Sequence, residues 1–167
     1  YGLVGSEMCI RDRNAFEGCE NLAEIKLPET LTYISEHLFE GCSSLKEINI
    51  PDSVTQIDDG AFGGCVSLTD MYIPDSVTEL GTGLFYGCTS LTDVKLPQGL
   101  TSIGHSMFEG CTSLTSIDLP VGITTIDIDA FRDCSSLRNI SLPEGLTSIG
   151  ERAMKNCSAL SEISMPQ

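Results

Sequence analysis

The sequence predicts an α/β repeat solenoid. Three observations carry that expectation: a strict 23-residue period, an alternation of apolar and polar residues within each period, and a repeating unit too small to close a core alone. Cys19, Cys42, Cys65, Cys88, Cys111, Cys134 and Cys157 stand 23 residues apart. The prolines from Pro28 to Pro166 and the leucines from Leu22 to Leu160 keep the same interval without exception. Taking 19–41 as the unit, six complete copies run from 19 to 156, with a partial copy at each end. Eight columns stay apolar in all of them, represented first by Leu22, Ile25, Leu27, Leu31, Ile34, Leu38, Phe39 and Cys42.

Each unit can be parsed by local chemistry. In "LAEIKLP", Ile25 and Leu27 point inward while Glu24 and Lys26 point outward, the period-two signature of a strand buried on one face. Pro28 ends it, because proline has no N–H for a ladder, and Glu29 and Thr30 suit a tight turn. "LTYI" supplies a second short extended segment, with Leu31 and Ile34 inward. The column Ser35, Asp58, Gly81, Gly104, Asp127 and Gly150 then holds residues favoured at a helix N-cap, which predicts a short helical turn. That turn carries pairs such as Ala61 and Phe62 inward. The column Gly18, Gly41, Gly64, Gly87, Gly110, Asp133 and Asn156, all tolerant of left-handed backbone, closes it. Stacked at about 4.8 Å per strand, six copies extend on the order of 30 Å.

The pattern "CxxLxxIxLPxxLTxIgxxaFxg" resembles the leucine-rich repeats of the BspA-like, or Treponema pallidum type, class over residues 14–167. The resemblance implies a curved, right-handed solenoid. It also implies proteins displayed on bacterial or protist surfaces that bind host or matrix proteins, so an extracellular or cell-surface location is expected.

Residues 1–13, "YGLVGSEMCIRDR", do not fit. Arg11 falls in the column of Ile34 and Gly2 in that of Ile25. The segment resembles translated cloning-adapter sequence, with an N-terminal cap as the alternative. The chain ends mid-repeat, which reads as a fragment of a larger protein. Leu160, Ile163 and Met165 are expected on an open edge able to self-associate.

Composition narrows the partners. Twenty-four acidic against nine basic residues give a net charge of -15, which repels nucleic acid and anionic membranes. No apolar run is long enough to cross a membrane as a helix, and no signal peptide is visible. The cysteine column predicts buried, reduced thiols acting as small core fillers. Parallel side chains about 4.8 Å apart are too far for unstrained disulfides. One thiol per copy, with no histidine column beside it, supplies no tetrahedral metal site.

No catalytic centre is expected. His37 and His105, the two histidines, lie 68 residues apart, and the pairs Asp58 with Asp59 and Asp127 with Asp129 fall at cap and turn positions. No cofactor motif is present.

The outward face of the first strand is the better site. Glu24, Glu47, Asp70 and Asp93 form a ladder about 4.8 Å apart, suited to a basic protein partner or, less well, a divalent cation, and partly neutralised by Lys26 and Lys95. Tyr72 sets an aromatic ring among them and is the leading contact residue. Asn139 and Asn156 sit in glycosylation sequons, with Asn156 already explained as a helix stop. A non-enzymatic, protein-binding scaffold of a secreted or surface protein follows. A structural spacer displaying another domain and a non-catalytic part of a larger enzyme are the alternatives.

Overall fold

The computed structural model describes residues 14–164, so the 1–13 segment and Met165 lie outside the described residues. Seven stacked coils make up the described residues. We number them by their turn segments: 14–18 in the first, 37–41 in the second, and so on at the repeat interval to 152–156 in the seventh.

Ten short strands occur among the described residues, in two rows. In the row following each proline turn, β1 (Tyr33–Ile34), β2 (Gln56–Ile57) and β4 (Glu79–Leu80) form one parallel sheet. Farther along, β6 (Ser102–Ile103), β7 (Thr125–Ile126) and β9 (Ser148–Ile149) form another. In the row preceding each proline, β3 (Asp70–Tyr72) pairs with β5 (Asp93–Lys95), and β8 (Asn139–Ser141) pairs with β10 (Glu162–Ser164). All pairing is parallel and joins residues one period apart, as in Ile34↔Ile57 and Ile140↔Ile163. The post-proline strand expected of each unit is present in all six, whereas the pre-proline strand is formed only at 70–72, 93–95, 139–141 and 162–164.

The expected helical turn is not. The described residues contain no helix, and the segment after each second strand is a chain of tight turns. Its backbone shows why. Left-handed φ recurs at two columns four residues apart: His37 (φ 55) with Gly41 (φ 71), Ser106 (φ 51) with Gly110 (φ 74), Asp129 (φ 56) with Asp133 (φ 60). A helix cannot continue through a left-handed residue every fourth position. Alternate N–H groups therefore take different partners. Leu38, Glu40 and Cys42 donate three residues back within their own coil, to Ser35, His37 and Phe39. His37, Phe39 and Gly41 donate instead to Asp59, Ala61 and Gly63 of the next coil, at 2.9, 2.9 and 2.8 Å. The same trio recurs at every junction between the seven coils, so the segment read as helix is the most continuous inter-coil ladder in the molecule. The glycine-rich stop column does hold left-handed backbone, as expected.

The cap column also acts differently from expectation. Asp127 Oδ1 does accept from the Ile128 N–H at 2.7 Å, a local cap without a helix. Asp58 instead receives Gln56 Nε2 at 3.0 Å and the Tyr33 hydroxyl. Gly81 and Gly150 are required by space. A Cβ on Gly81 would stand 2.3 Å from Asp59 N, and one on Gly150 2.5 Å from Ile128 N.

Between the three rows lies one continuous apolar core. Phe16, Phe39, Phe62, Phe85, Phe108 and Phe131 stack with centroids 5.3 to 5.9 Å apart and nearly parallel rings. Leu45, Leu68, Leu91, Leu114 and Leu137 are fully buried beside them. Of the eight apolar columns, Leu22, Ile25 and Leu31 are only partly buried in the first copy.

The cysteine column has a specific role in this core. Each Sγ from Cys42 to Cys157 donates to a phenylalanine carbonyl of the preceding coil, Cys65 to Phe39 at 3.2 Å and Cys88 to Phe62 at 3.1 Å among them. Each of these carbonyls also accepts the backbone N–H of its own coil's cysteine, at 3.1 Å in Phe39 and 3.2 Å in Phe62. Serine would bury a more polar group there, and alanine would leave the second lone pair unmet. All the described cysteines are free. Those from Cys42 onward are buried as expected, whereas Cys19, in the first coil, is exposed.

Burial pushes the Cys42 thiol up to about 11 and the Cys88 thiol up to about 12, in each case despite a backbone hydrogen bond that acts the other way. The folded chain holds these protons more tightly than the unfolded one. Their contribution is therefore complete below the ordinary value of 9.0 and declines as pH rises past it. We expect the denaturant midpoint to fall between about pH 9 and about pH 11, and to fall less in a Cys88→Ala/Cys111→Ala variant; equal declines would contradict the thiol ladder. Gly81→Ala should destabilise by about 2 kcal/mol or more, while Gly104→Ala, whose Cβ would meet nothing nearer than 3.7 Å, should cost less than about 1 kcal/mol, both measured by chemical unfolding.

Candidate protein-interaction face

The sheet of β3 and β5 builds the site. Alternation along each strand turns Met71 and Val94 into the core and leaves Asp70, Tyr72, Asp93 and Lys95 outward. Parallel register then sets Asp70 directly beside Asp93 and Tyr72 directly beside Lys95. Lys95 Nζ lies 5.1 Å from the Tyr72 ring centroid, within range of a cation–π contact. Tyr72 stays 48% exposed even so, one face against the ammonium and the rest available to a partner. Thr69 Oγ1 donates to Asp70 Oδ2 at 2.7 Å and helps hold that carboxylate in place.

Glu24 and Glu47 are exposed at the equivalent positions of earlier copies, but their segments are not assigned as strand. The acidic ladder is therefore a register-paired couple at Asp70 and Asp93, with Glu24 and Glu47 continuing its column by repeat spacing. Among the described residues no group of three or more His, Cys, Asp or Glu is arranged to hold a metal ion. Asn139 is exposed in β8, and Asn156 holds left-handed backbone (φ 63) with Nδ2 donating to Asp133 Oδ1 at 2.6 Å.

The opposite, turn-side surface holds a feature that linear spacing conceals. His37 and His105 line one groove of about 350 Å³ with Glu40, Tyr86 and Glu109. Within it His37 is engaged by carboxylates, Nε2 at 3.3 Å from Glu36 and Nδ1 at 2.5 Å from Glu40. The signal was available: the two histidines fall in adjacent columns three coils apart, so stacking returns them to one side of the molecule.

Residues 10–127 and 102–167 match the BspA type Leucine rich repeat region family (6 copies). The structure is similar to the crystal structure of a T. pallidum leucine-rich repeat protein, with a TM-score of 0.85 and 36% identity over 90% of this chain and 70% of that one. A leucine rich cell surface protein from Faecalibacterium prausnitzii aligns with a TM-score of 0.58 and 27% identity, over 90% of this chain and 62% of the other. The pneumococcal vaccine antigen PcpA gives 0.57 and 26% identity, over 85% of this chain and 39% of its own. No curated protein matches the chain. A stacked 23-residue period, parallel pairing one period apart, and family matches spanning residues 10–167 together place the chain in the BspA-type leucine-rich repeat family.

Proposed function

We propose that this chain is a non-enzymatic, protein-binding scaffold of a secreted or cell-surface protein, and that it engages its partner through the face formed by Asp70, Tyr72, Asp93 and Lys95. The observation that carries the reading is the adjacency of a half-exposed tyrosine ring, its flanking ammonium and two aligned carboxylates on a rigid pair of strands. A large ring with few rotatable bonds anchors an interface at small entropic cost, and the flanking charges give orientation. The carboxylates favour a partner with basic residues opposite them, in keeping with a net charge of -15. Glu24 and Glu47 extend that preference along the same column.

Relatives described as a cell surface protein and as a vaccine antigen support a surface setting for the repeat array. The chain spans 62% and 39% of those two proteins, so adhesion to host or matrix components is proposed for the array and not transferred from either. A role as part of a longer polypeptide fits the same proportions.

An array of purified extracellular proteins probed with this chain, and again with an Asp70→Ala/Tyr72→Ala/Asp93→Ala variant, tests the face. The triple variant should lose at least about tenfold in affinity for the true partner while unfolding at an unchanged midpoint. Unchanged affinity for every hit would exclude this surface.

A further inference from the structure

At the position of Glu40, successive coils carry Glu40, Gly63, Tyr86, Glu109, Arg132 and Lys155. Because the coils stack in register, each of these side chains is flanked by those of the coils before and after it. The later coils use that adjacency to pair charges. Arg132 Nη1 lies 3.2 Å from Glu109 Oε1. Three columns earlier, Arg152 clamps Asp129 through two bonds, Nε to Oδ1 at 3.0 Å and Nη2 to Oδ2 at 2.8 Å. An arginine from the following coil is this surface's own answer to a turn-side carboxylate.

Glu40 stands to Gly63 as Glu109 stands to Arg132, and there the arginine is replaced by a residue with no side chain. Gly60, beside it, also has no side chain, and the His37 ring lies over it: a Cβ there would stand 2.6 Å from His37 Nδ1. Both glycines line the groove. A Cβ at Gly63 would find the Gly60 carbonyl oxygen at 3.3 Å, Glu40 Cγ at 3.7 Å and the Tyr86 carbonyl oxygen at 3.8 Å, so the slot is narrow at its base. Tyr86, 53% exposed, forms its far wall. His37 Nδ1 contacts Glu40 Oε2, so an incoming cation would meet Oε1.

We propose that the Gly63 slot receives an arginine side chain of a partner protein, its guanidinium paired with Glu40 and laid against the Tyr86 ring. Arginine fits better than lysine because its flat, five-donor head can bond a carboxylate while stacking on an aromatic face. An inorganic cation fits worse, since no metal-holding cluster exists among the described residues. This surface lies apart from the strand face and does not depend on it.

The probe is a capped pentapeptide with one central arginine among glycines, titrated into the 15N-labelled chain, with lysine- and glutamate-centred peptides alongside. Saturable shifts centred on the Gly60, Gly63, Gly83 and Tyr86 amides are expected. The arginine peptide should bind about two- to fivefold tighter than the lysine peptide, and the glutamate peptide should produce no such shifts. Tyr86→Ala should weaken the arginine peptide by about two- to fivefold, and Gly63→Arg, which supplies the missing side chain from within, should abolish its shifts. The Asp70→Ala/Tyr72→Ala/Asp93→Ala variant should titrate like the parent, which separates this site from the strand face. Non-saturating shifts spread over the acidic surface, or a Tyr86→Ala variant that binds like the parent, would overturn the proposal. Tyr86→Ala decides alone should Gly63→Arg not fold.

Discussion

Two left-handed residues four apart, repeated in every coil, determine the architecture. They stop the turn segment from winding into a helix and swing alternate N–H groups along the stacking axis, where carbonyls of the next coil receive them. A backbone donor buried without a partner costs more than the net value of a formed bond, so each such donor makes a neighbouring coil in register obligatory. The post-proline row is interrupted between β4 and β6, where β3 and β5 pair in the other row and Gly83, Phe85 and Gly87 donate to His105, Met107 and Glu109. Of the three rows, only the turn ladder is unbroken over the described residues.

Side-chain packing reinforces the same register. The phenylalanine stack, the leucine column and the thiols bonded to phenylalanine carbonyls are all contacts between equivalent residues of adjacent coils or their near neighbours. A coil displaced by one residue would lose all of them together. Stability is then a sum over coil interfaces, and the outward columns are free to vary because none of these contacts uses them. That freedom permits two unlike surfaces on one scaffold, an aromatic and charged strand face and a notched turn side.

Most of this was legible in the residues. The period fixed the register, and period-two alternation placed Met71 and Val94 inside with Asp70, Tyr72, Asp93 and Lys95 outside. The helical turn was misread because the cap and stop columns, taken alone, are what a short helix would show. The column of Asn14, His37, Gly60, Gly83, Ser106, Asp129 and Arg152 held the correction, since Asn, Gly and Asp are the residues that accept positive φ. Ser106 and Arg152 masked that signal, since their left-handed backbone is imposed by the stack and not by local preference. The turn-side groove was hidden for a different reason, being lined in part by the missing side chain of Gly63, and an absence acquires shape only when neighbouring coils supply walls.

The inter-coil turn ladder is most directly tested by scalar couplings transmitted through hydrogen bonds in the isotopically labelled chain. Coupling from the Phe85 amide nitrogen to the Met107 carbonyl carbon, and from Phe108 to Ala130, is expected at every corresponding junction. Couplings from these amides to carbonyls four residues earlier in the same coil would mean a helix and would contradict stacking through the backbone.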